Sequence, residues 1–428
     1  MRKMKTSLEQ WLGELPESWG LLRIASLYKI RNIKVSDKDY MPLSVTMNGI
    51  VPQLETAAKT NAHDDRKLVR KGDFAINSRS DRRGSCGISE YDGSVSLINT
   101  ILAPLGEMNP NYYNWLFHTT QFADEFYKWG HGIVDDLWTT GWQDMKKIMI
   151  PVPPLQEQNE ISDFLNAKCT EIDALVADIQ AQIETLEQYK RSIISETVTK
   201  GLNQNVQMKD SGIECIGDIP SDWNIKRVKH IAISLSKGNG ITRDDVKEDG
   251  NIQCIRYGEI YSKYENSFKE CISYTNLESI ESPKFAFYGD ILFAATGELI
   301  EEIGKNIVYL GTSPCLVGGD IIIMRHNQNP SFLNYALNSN YAQMQKSRGK
   351  AKLKVVHISA SDIGNIRLAL PPIREQEAIS NFLDTKCSEI NEIVMKREEQ
   401  LEVLKEYKKS LIYEYVTGKK EVPAIWSD

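Results

Sequence analysis

The chain contains itself twice. The segment Pro153-Pro154-Leu155-Gln156-Glu157-Gln158 through Glu196-Thr197-Val198-Thr199 returns as Pro371-Pro372-Ile373-Arg374-Glu375-Gln376 through Glu414-Tyr415-Val416-Thr417, at one fixed offset and without a gap. Nearly half of the aligned positions are identical, among them Phe164/Phe382, Leu165/Leu383, Cys169/Cys387, Tyr189/Tyr407 and Ser192/Ser410. A second repeat precedes each copy. Trp11-Leu12-Gly13-Glu14-Leu15-Pro16 answers to Cys215-Ile216-Gly217-Asp218-Ile219-Pro220, followed by Trp19/Trp223 and Arg23/Arg227. Between these shared ends the halves diverge, with islands in register such as Lys71-Gly72-Asp73 against Tyr288-Gly289-Asp290 and Asn109-Pro110 against Asn329-Pro330. Whatever this chain folds into must be buildable twice from one plan. The plan reads variable unit (1–152), shared helix (153–200), variable unit (201–370), shared helix (371–428).

The shared segments carry a coiled-coil seam. In the first copy apolar residues fall at Ile161, Leu165, Cys169, Ile172, Val176, Ile179, Ile183, Leu186, Tyr189 and Ile193, mostly in alternating steps of three and four. The second gives Ile379, Leu383, Cys387, Ile390, Val394, Arg397, Leu401, Leu404, Tyr407 and Leu411. Arg397 stands where the first copy has Ile179. It reads either as a side chain snorkelling at the seam edge or as a polar residue fixing register. Gly201 and Gly418 sit where a left-handed residue would end each helix. A helix of about forty residues is roughly 60 Å long, and its stripe must be buried. The obvious partner is the other copy, packed antiparallel, so that each variable unit lies at an opposite end. Cys169 and Cys387 read as small apolar seam fillers.

The variable units read as mixed α/β. Short β-like runs occur at Phe74–Ile76, Val95–Ile98, Ile291–Phe293 and Asp320–Met324, and Asn111 to Trp129, with its counterpart from Ser331, reads as one amphipathic helix. The predicted fold class is therefore α+β: two mixed α/β domains joined by two long helices in an antiparallel coiled coil, with a pseudo-twofold internal repeat. The formal charge of −7 belongs chiefly to the helical segments. An acidic rod avoids phosphates, so any nucleic-acid contact falls to the variable units. Each has basic clusters. The first offers Arg66, Lys67, Arg70 and Lys71, then Arg79, Arg82 and Arg83. The second offers Arg325, Lys346, Arg348, Lys350, Lys352 and Lys354, the last five spaced to line one side of an extended arm. Such side chains could neutralise phosphates and offer Arg to guanine. A solvated edge strand protected by Lys is the plainer reading.

Several chemistries find no support. The six His form no H-E-x-x-H pattern or close His/Cys cluster, and no P-loop is present. Seven Cys with no C-x-x-C pair argue against a disulfide framework or a structural zinc site and fit a reducing cytoplasm. No run reaches the ~18 apolar residues of a membrane helix. Asn109-Pro110-Asn111-Tyr112 faintly echoes the Asn-Pro-Pro-Tyr loop of adenine methyltransferases. It lacks the middle Pro and a nearby glycine-rich cofactor loop, and it reads as a helix N-terminus.

In order along the chain, Gly13-Glu14-Leu15-Pro16 with Trp19, Pro153-Pro154-Leu155-Gln156-Glu157-Gln158, the long helix, Val198-Thr199-Lys200-Gly201, Asp210-Ser211-Gly212-Ile213-Glu214, Ile219-Pro220 with Trp223, and Pro371-Pro372-Ile373-Arg374-Glu375-Gln376 with the closing helix resemble the specificity subunit of type I restriction–modification enzymes. Cys215, standing where the first repeat has Trp11, is a departure that touches local packing. The resemblance implies two target recognition domains, each reading one half of a split double-stranded DNA target, and two helices that set the unread gap. It implies partners: two methyltransferase subunits docked on the helices, and motor–nuclease subunits in the larger complex. It implies no catalytic centre on this chain, with S-adenosylmethionine, ATP and Mg carried by the partners. Two rival classes are an enzyme with its own methyltransferase or nuclease centre, and a non-catalytic coiled-coil scaffold presenting two protein-binding domains.

Overall fold

The computed structural model describes residues 2–53, 63–132, 138–277, 280, 282–297, 302–348 and 356–423. Two compact units divide the chain. Met1–Gln180 with Glu398–Asp428 make the first, and Ala181–Arg397 make the second. The division cuts through both long helices, Leu155–Lys200 and Ile373–Val416, instead of setting each apart as a segment of its own. The cause is the apolar stripe. Each helix buries part of it in one variable domain's core and part in the other's.

In the first unit an antiparallel sheet runs in the order Cys86–Ile88, Phe74–Asn77, Asn99–Pro104, Tyr28–Ile30. Val95 belongs to the strand Gly93–Ser96, which pairs with Arg66–Val69. Leu97 and Ile98 lie in the turn beyond it, so the predicted run Val95–Ile98 straddles a strand end. The predicted Asn111–Trp129 helix is two helices, Pro110–Phe117 and Thr120–Lys128. Asn109 caps the first through its side-chain oxygen, with Pro at the first turn, where its missing N–H costs nothing. Thr119 breaks the run because its hydroxyl accepts from Phe122 N and so starts a new helix. Aromatic rings fill the core: Phe74, Tyr112, Tyr113, Phe117, Phe122 and Phe126. Ile161, Phe164, Leu165 and Ile172 join them from the central helix, and Leu411, Tyr415 and Val416 from the C-terminal one. Phe164 meets Tyr415 at 4.5 Å between ring centres, and Lys408 reaches Asp173 at 2.6 Å. As the number on one helix rises it falls on the other, so here they pack antiparallel.

The second unit repeats the scheme with a larger sheet. Ala232–Lys237, Ile321–His326, Ile291–Ala294, Asn306–Tyr309 and Ser267–Phe268 lie side by side. A second sheet orders Ser273–Thr275, Ile252–Ile255, Cys315–Val317 and Phe285–Ala286. The helix predicted from Ser331 is again two, Pro330–Asn338 and Asn340–Ser347. Ile379, Leu383 and Cys387 of the C-terminal helix and Val198 of the central one complete the core. Lys190 Nζ donates to Asn391 Oδ1 at 2.6 Å.

The seam follows the sequence pattern with one correction. Ile161, Leu165, Ile172, Ile379, Leu383, Ile390 and Leu401 are buried; Val176, Ile183, Leu186, Val394 and Leu404 are half-buried. Tyr189 and Tyr407, placed on the seam by the heptad, are 54% and 53% exposed. Lys190 and Lys408 turn inward in their place, laying their stems along the helix pair and ending on Asn391 and Asp173. Gly201 and Gly418 end the helices with φ of 75° and 67°.

Candidate nucleic-acid interface

The Pro-Pro-x-x-Glu-Gln unit is a joint between helix and domain, made twice from the same atoms. Trp19 Nε1 donates to Glu157 Oε2 at 2.8 Å, and Trp223 Nε1 to Glu375 Oε2 at 3.0 Å. Gln158 Oε1 accepts from Asn109 N at 2.9 Å while its amide donates to Pro153 O at 2.9 Å. Gln376 does the same with Asn329 N at 3.0 Å and Pro371 O at 2.9 Å. Buried amide groups need such partners, so Glu and Gln together fix how each helix leaves its domain.

The predicted DNA-contacting residues part into three groups. Two are interior. Arg66 is buried, and its guanidinium donates to Ser94 Oγ at 2.9 Å and Ser94 O at 2.8 Å. Lys346 is buried near the end of the helix Asn340–Ser347, donating to Gly304 O at 2.7 Å and Asn306 Oδ1 at 2.8 Å. Lys346 therefore belongs to a helix rather than an extended arm, and both residues hold backbone in place. Lys67 is half-buried and donates to Asn99 O at 2.7 Å. Burial lowers the pKa of Lys67 and of Arg66 below the ordinary values.

The second group is at the surface. Arg70 pairs with Asp92 at 2.9 Å, which raises its pKa. Arg79 pairs with Asp81 at 3.1 Å, and Arg82 reaches the same carboxylate at 3.8 Å. Arg83 pairs with Asp124 and lies over the Tyr127 ring. Arg325 donates to Phe285 O at 2.8 Å and lies over Phe287, with Asp290 at 3.3 Å. Arg348 is exposed just past its helix. Lys350, Lys352 and Lys354 fall outside the described residues.

A basic groove that sequence clustering missed lies in the second unit. Its volume is about 810 Å³, and three stretches line it: Lys237 to Arg243, Arg256 to Lys263, and Gly318 to Asp320. Glycines form the base. A Cβ on Gly238 would fall 2.2 Å from Gly318 O, and one on Gly319 would fall 3.2 Å from Gly240 N. The two turns thus pack backbone on backbone. Half-buried Arg256 donates to Glu259 Oε1 at 3.1 Å. Glu259, itself buried, also accepts from Arg256 N at 2.8 Å and from the Ser273 hydroxyl. The Arg256 Nε has no partner. Lys237 faces Asp320 at 3.5 Å. Arg243 and Lys263 are exposed, and among the described residues no carboxylate pairs with either. A sequence signal of this groove is the stretch Lys237-Gly238-Asn239-Gly240-Ile241-Thr242-Arg243, in which two glycines lie between two cations.

Two stretches, 16–185 and 220–403, match the model of the type I restriction modification DNA specificity domain. The chain belongs to that family. The two specificity domains coincide with the two halves of the internal repeat. The type I restriction enzyme MjaVIII specificity subunit of Methanocaldococcus jannaschii is 24% identical over 425 residues, 95% of this chain and 93% of the relative. The putative type I restriction enzyme MjaX specificity subunit of the same organism is 26% identical over 281 residues, 64% of this chain and 60% of the relative. Among solved structures, a chain from a type I R-M system studied for its complex assembly and conformational transition superimposes with a TM-score of 0.71, at 14% identity, over 94% of this chain and 98% of the other. The HsdS subunit from Thermoanaerobacter tengcongensis gives 0.52 at 16% identity, over 95% and 98%. The specificity-subunit fold is thus shared over nearly the whole chain. No group of three metal-ligating side chains and no helix long and apolar enough to cross a membrane occurs among the described residues.

Proposed function

We propose that this chain is the DNA sequence-specificity subunit of a type I restriction–modification complex, reading a bipartite duplex target with one half-site for each specificity domain. The observation that carries the reading is the duplicated joint. Two domains are fixed to two helices by the same Trp–Glu and Gln–Asn contacts, yet their outer surfaces differ. A chain made that way presents two unlike reading surfaces on one frame. The subunit itself is non-catalytic. S-adenosylmethionine, ATP and Mg belong to its methyltransferase and motor–nuclease partners, and the complex works on cytoplasmic DNA.

The helix pair also suggests where the methyltransferase subunits dock. Leu175 and Tyr407 are 52% and 53% exposed on the helices of the first unit. Their repeat equivalents, Ile393 and Tyr189, are 44% and 54% exposed on those of the second. Exposed apolar side chains at equivalent positions of a repeat suit two copies of one partner.

Methylome sequencing of the host with and without the gene tests the reading. A split methylated motif should vanish with the gene. Four residues inserted in each helix add ~6 Å of length. The gap in the motif should then grow by roughly two base pairs at ~3.4 Å each, while both half-sites keep their bases. A motif that survives deletion, or a gap that ignores the insertion, would refute the assignment.

A further inference from the structure

We propose that the groove walled by Lys237–Arg243, Arg256–Lys263 and Gly318–Asp320 is where the second specificity domain holds its half-site, with Arg243 and Lys263 on phosphates and Arg256 as a base-reading donor. The proposal rests on the DNA-specificity reading and names the surface that performs it.

Three features point to a polyanion with edges to read. The first is charge. Four cations line the groove, Lys237, Arg243, Arg256 and Lys263, against two carboxylates, Glu259 and Asp320. Both carboxylates are engaged, Glu259 by Arg256 and Ser273, and Asp320 by Lys237. That leaves Arg243 and Lys263 to meet an outside anion.

The second feature is the bare base. Gly238, Gly318 and Gly319 pack on neighbouring backbone, and at Gly240 and Gly258 the place of a Cβ is open. A sugar–phosphate backbone can approach the protein backbone closely there.

The third is the fixing of Arg256. A base-reading Arg must present its planar fork in one orientation. Glu259 grips both the side chain and the backbone N–H of Arg256, and is itself held by Ser273. This grip uses one terminal guanidinium nitrogen, while the Nε is buried and without a partner. Exposed Tyr257 stands next to it in the same wall.

Gly258 and Gly240 give a test that spares the fold. A Cβ on either meets nothing within 4 Å, so Gly258→Glu can add a carboxylate to the groove wall. The full chain, with its methyltransferase partners, is titrated with a duplex carrying the methylated motif and with one whose second half-site is scrambled. Gly258→Glu should keep the wild-type melting temperature and weaken binding to the motif roughly tenfold or more. Arg243→Ala and Lys263→Ala should each lower the slope of affinity against salt by about one. Arg256→Gln should relax one base of the second half-site in the methylome and leave the first half-site intact, and Arg256→Lys should fail to restore that base. If the wild type selects its motif but Gly258→Glu binds with unchanged affinity and salt slope, the groove is not the reading surface. If the wild type itself shows no preference for the motif over the scrambled duplex, the specificity reading has failed, not merely this placement of it.

Discussion

One position on equivalent helices shows how the two specificity domains differ inside. Thr119 and Ser339 precede the helices Thr120–Lys128 and Asn340–Ser347, and in the shared register Phe126 of the first stands where the second has Lys346. Both are buried. Phe126 stacks on Phe122 with 6.1 Å between ring centres. Lys346 donates to Gly304 O and Asn306 Oδ1, with the Phe293 ring 5.7 Å away. Asn306 in turn donates to Asn334 Oδ1 at 2.7 Å. One place in the frame thus holds a ring or a cation, provided that acceptors come with the cation. Burial has its effect all the same, pushing the Lys346 ammonium down to about 7. The frame specifies which positions are inside. It leaves open what chemistry fills them.

Phe126→Lys would break the comparison hardest. It removes a ring worth roughly 3–5 kcal/mol in a core and inserts an ammonium beside Phe122 and Tyr127. The first unit should lose its cooperative transition in urea while the second keeps its own. Retained stability would mean that acceptors lie within reach in both domains.

The reverse site gives a smaller, pH-dependent effect. With its folded pKa below the unfolded one, Lys346 binds its proton more weakly in the native state. The stability penalty is complete below about pH 7 and fades as the pH climbs towards the ordinary lysine value near 10.5. Lys346→Met cannot titrate. Between about pH 6 and pH 10 the wild type should therefore gain up to a few kcal/mol relative to the variant, read from paired urea midpoints. Parallel curves would show that the ammonium stays solvated.

What the sequence announced was what repeats. The fixed offset gave both helices, their seam and their glycine ends, and Asn109 and Asn329 as helix starts. Choices between neighbours were not legible. After Leu186 the next inward position is either Tyr189 or Lys190, and apolarity favours the wrong one. The backbone turns Lys190 in because Asn391 and Glu265 receive its ammonium. The partners of the charge clusters were not legible either. Arg70 meets Asp92 and Arg83 meets Asp124, carboxylates far away in sequence. The groove of the second domain is built from three separate stretches, and no linear window contains it.

The two joints allow the finest comparison. Gly201 and Gly418 both hold a left-handed φ, which costs an Ala about 1 kcal/mol. Their surroundings differ. A Cβ on Gly201 would lie 2.9 Å from the Glu375 Oε1 and 3.2 Å from the Trp223 ring. On Gly418 it would lie 2.5 Å from Pro16 Cγ and 2.9 Å from the Trp19 ring. A carboxylate can swing aside, whereas a proline ring closed on its own backbone cannot. Gly418→Ala should therefore destabilise its unit by about 1 kcal/mol more than Gly201→Ala does the other. Hydrogen exchange in each unit measures the two losses separately. Equal losses would mean that Trp19 and Pro16 yield as readily as the Glu375 side chain, and that the first joint is no stiffer than the second.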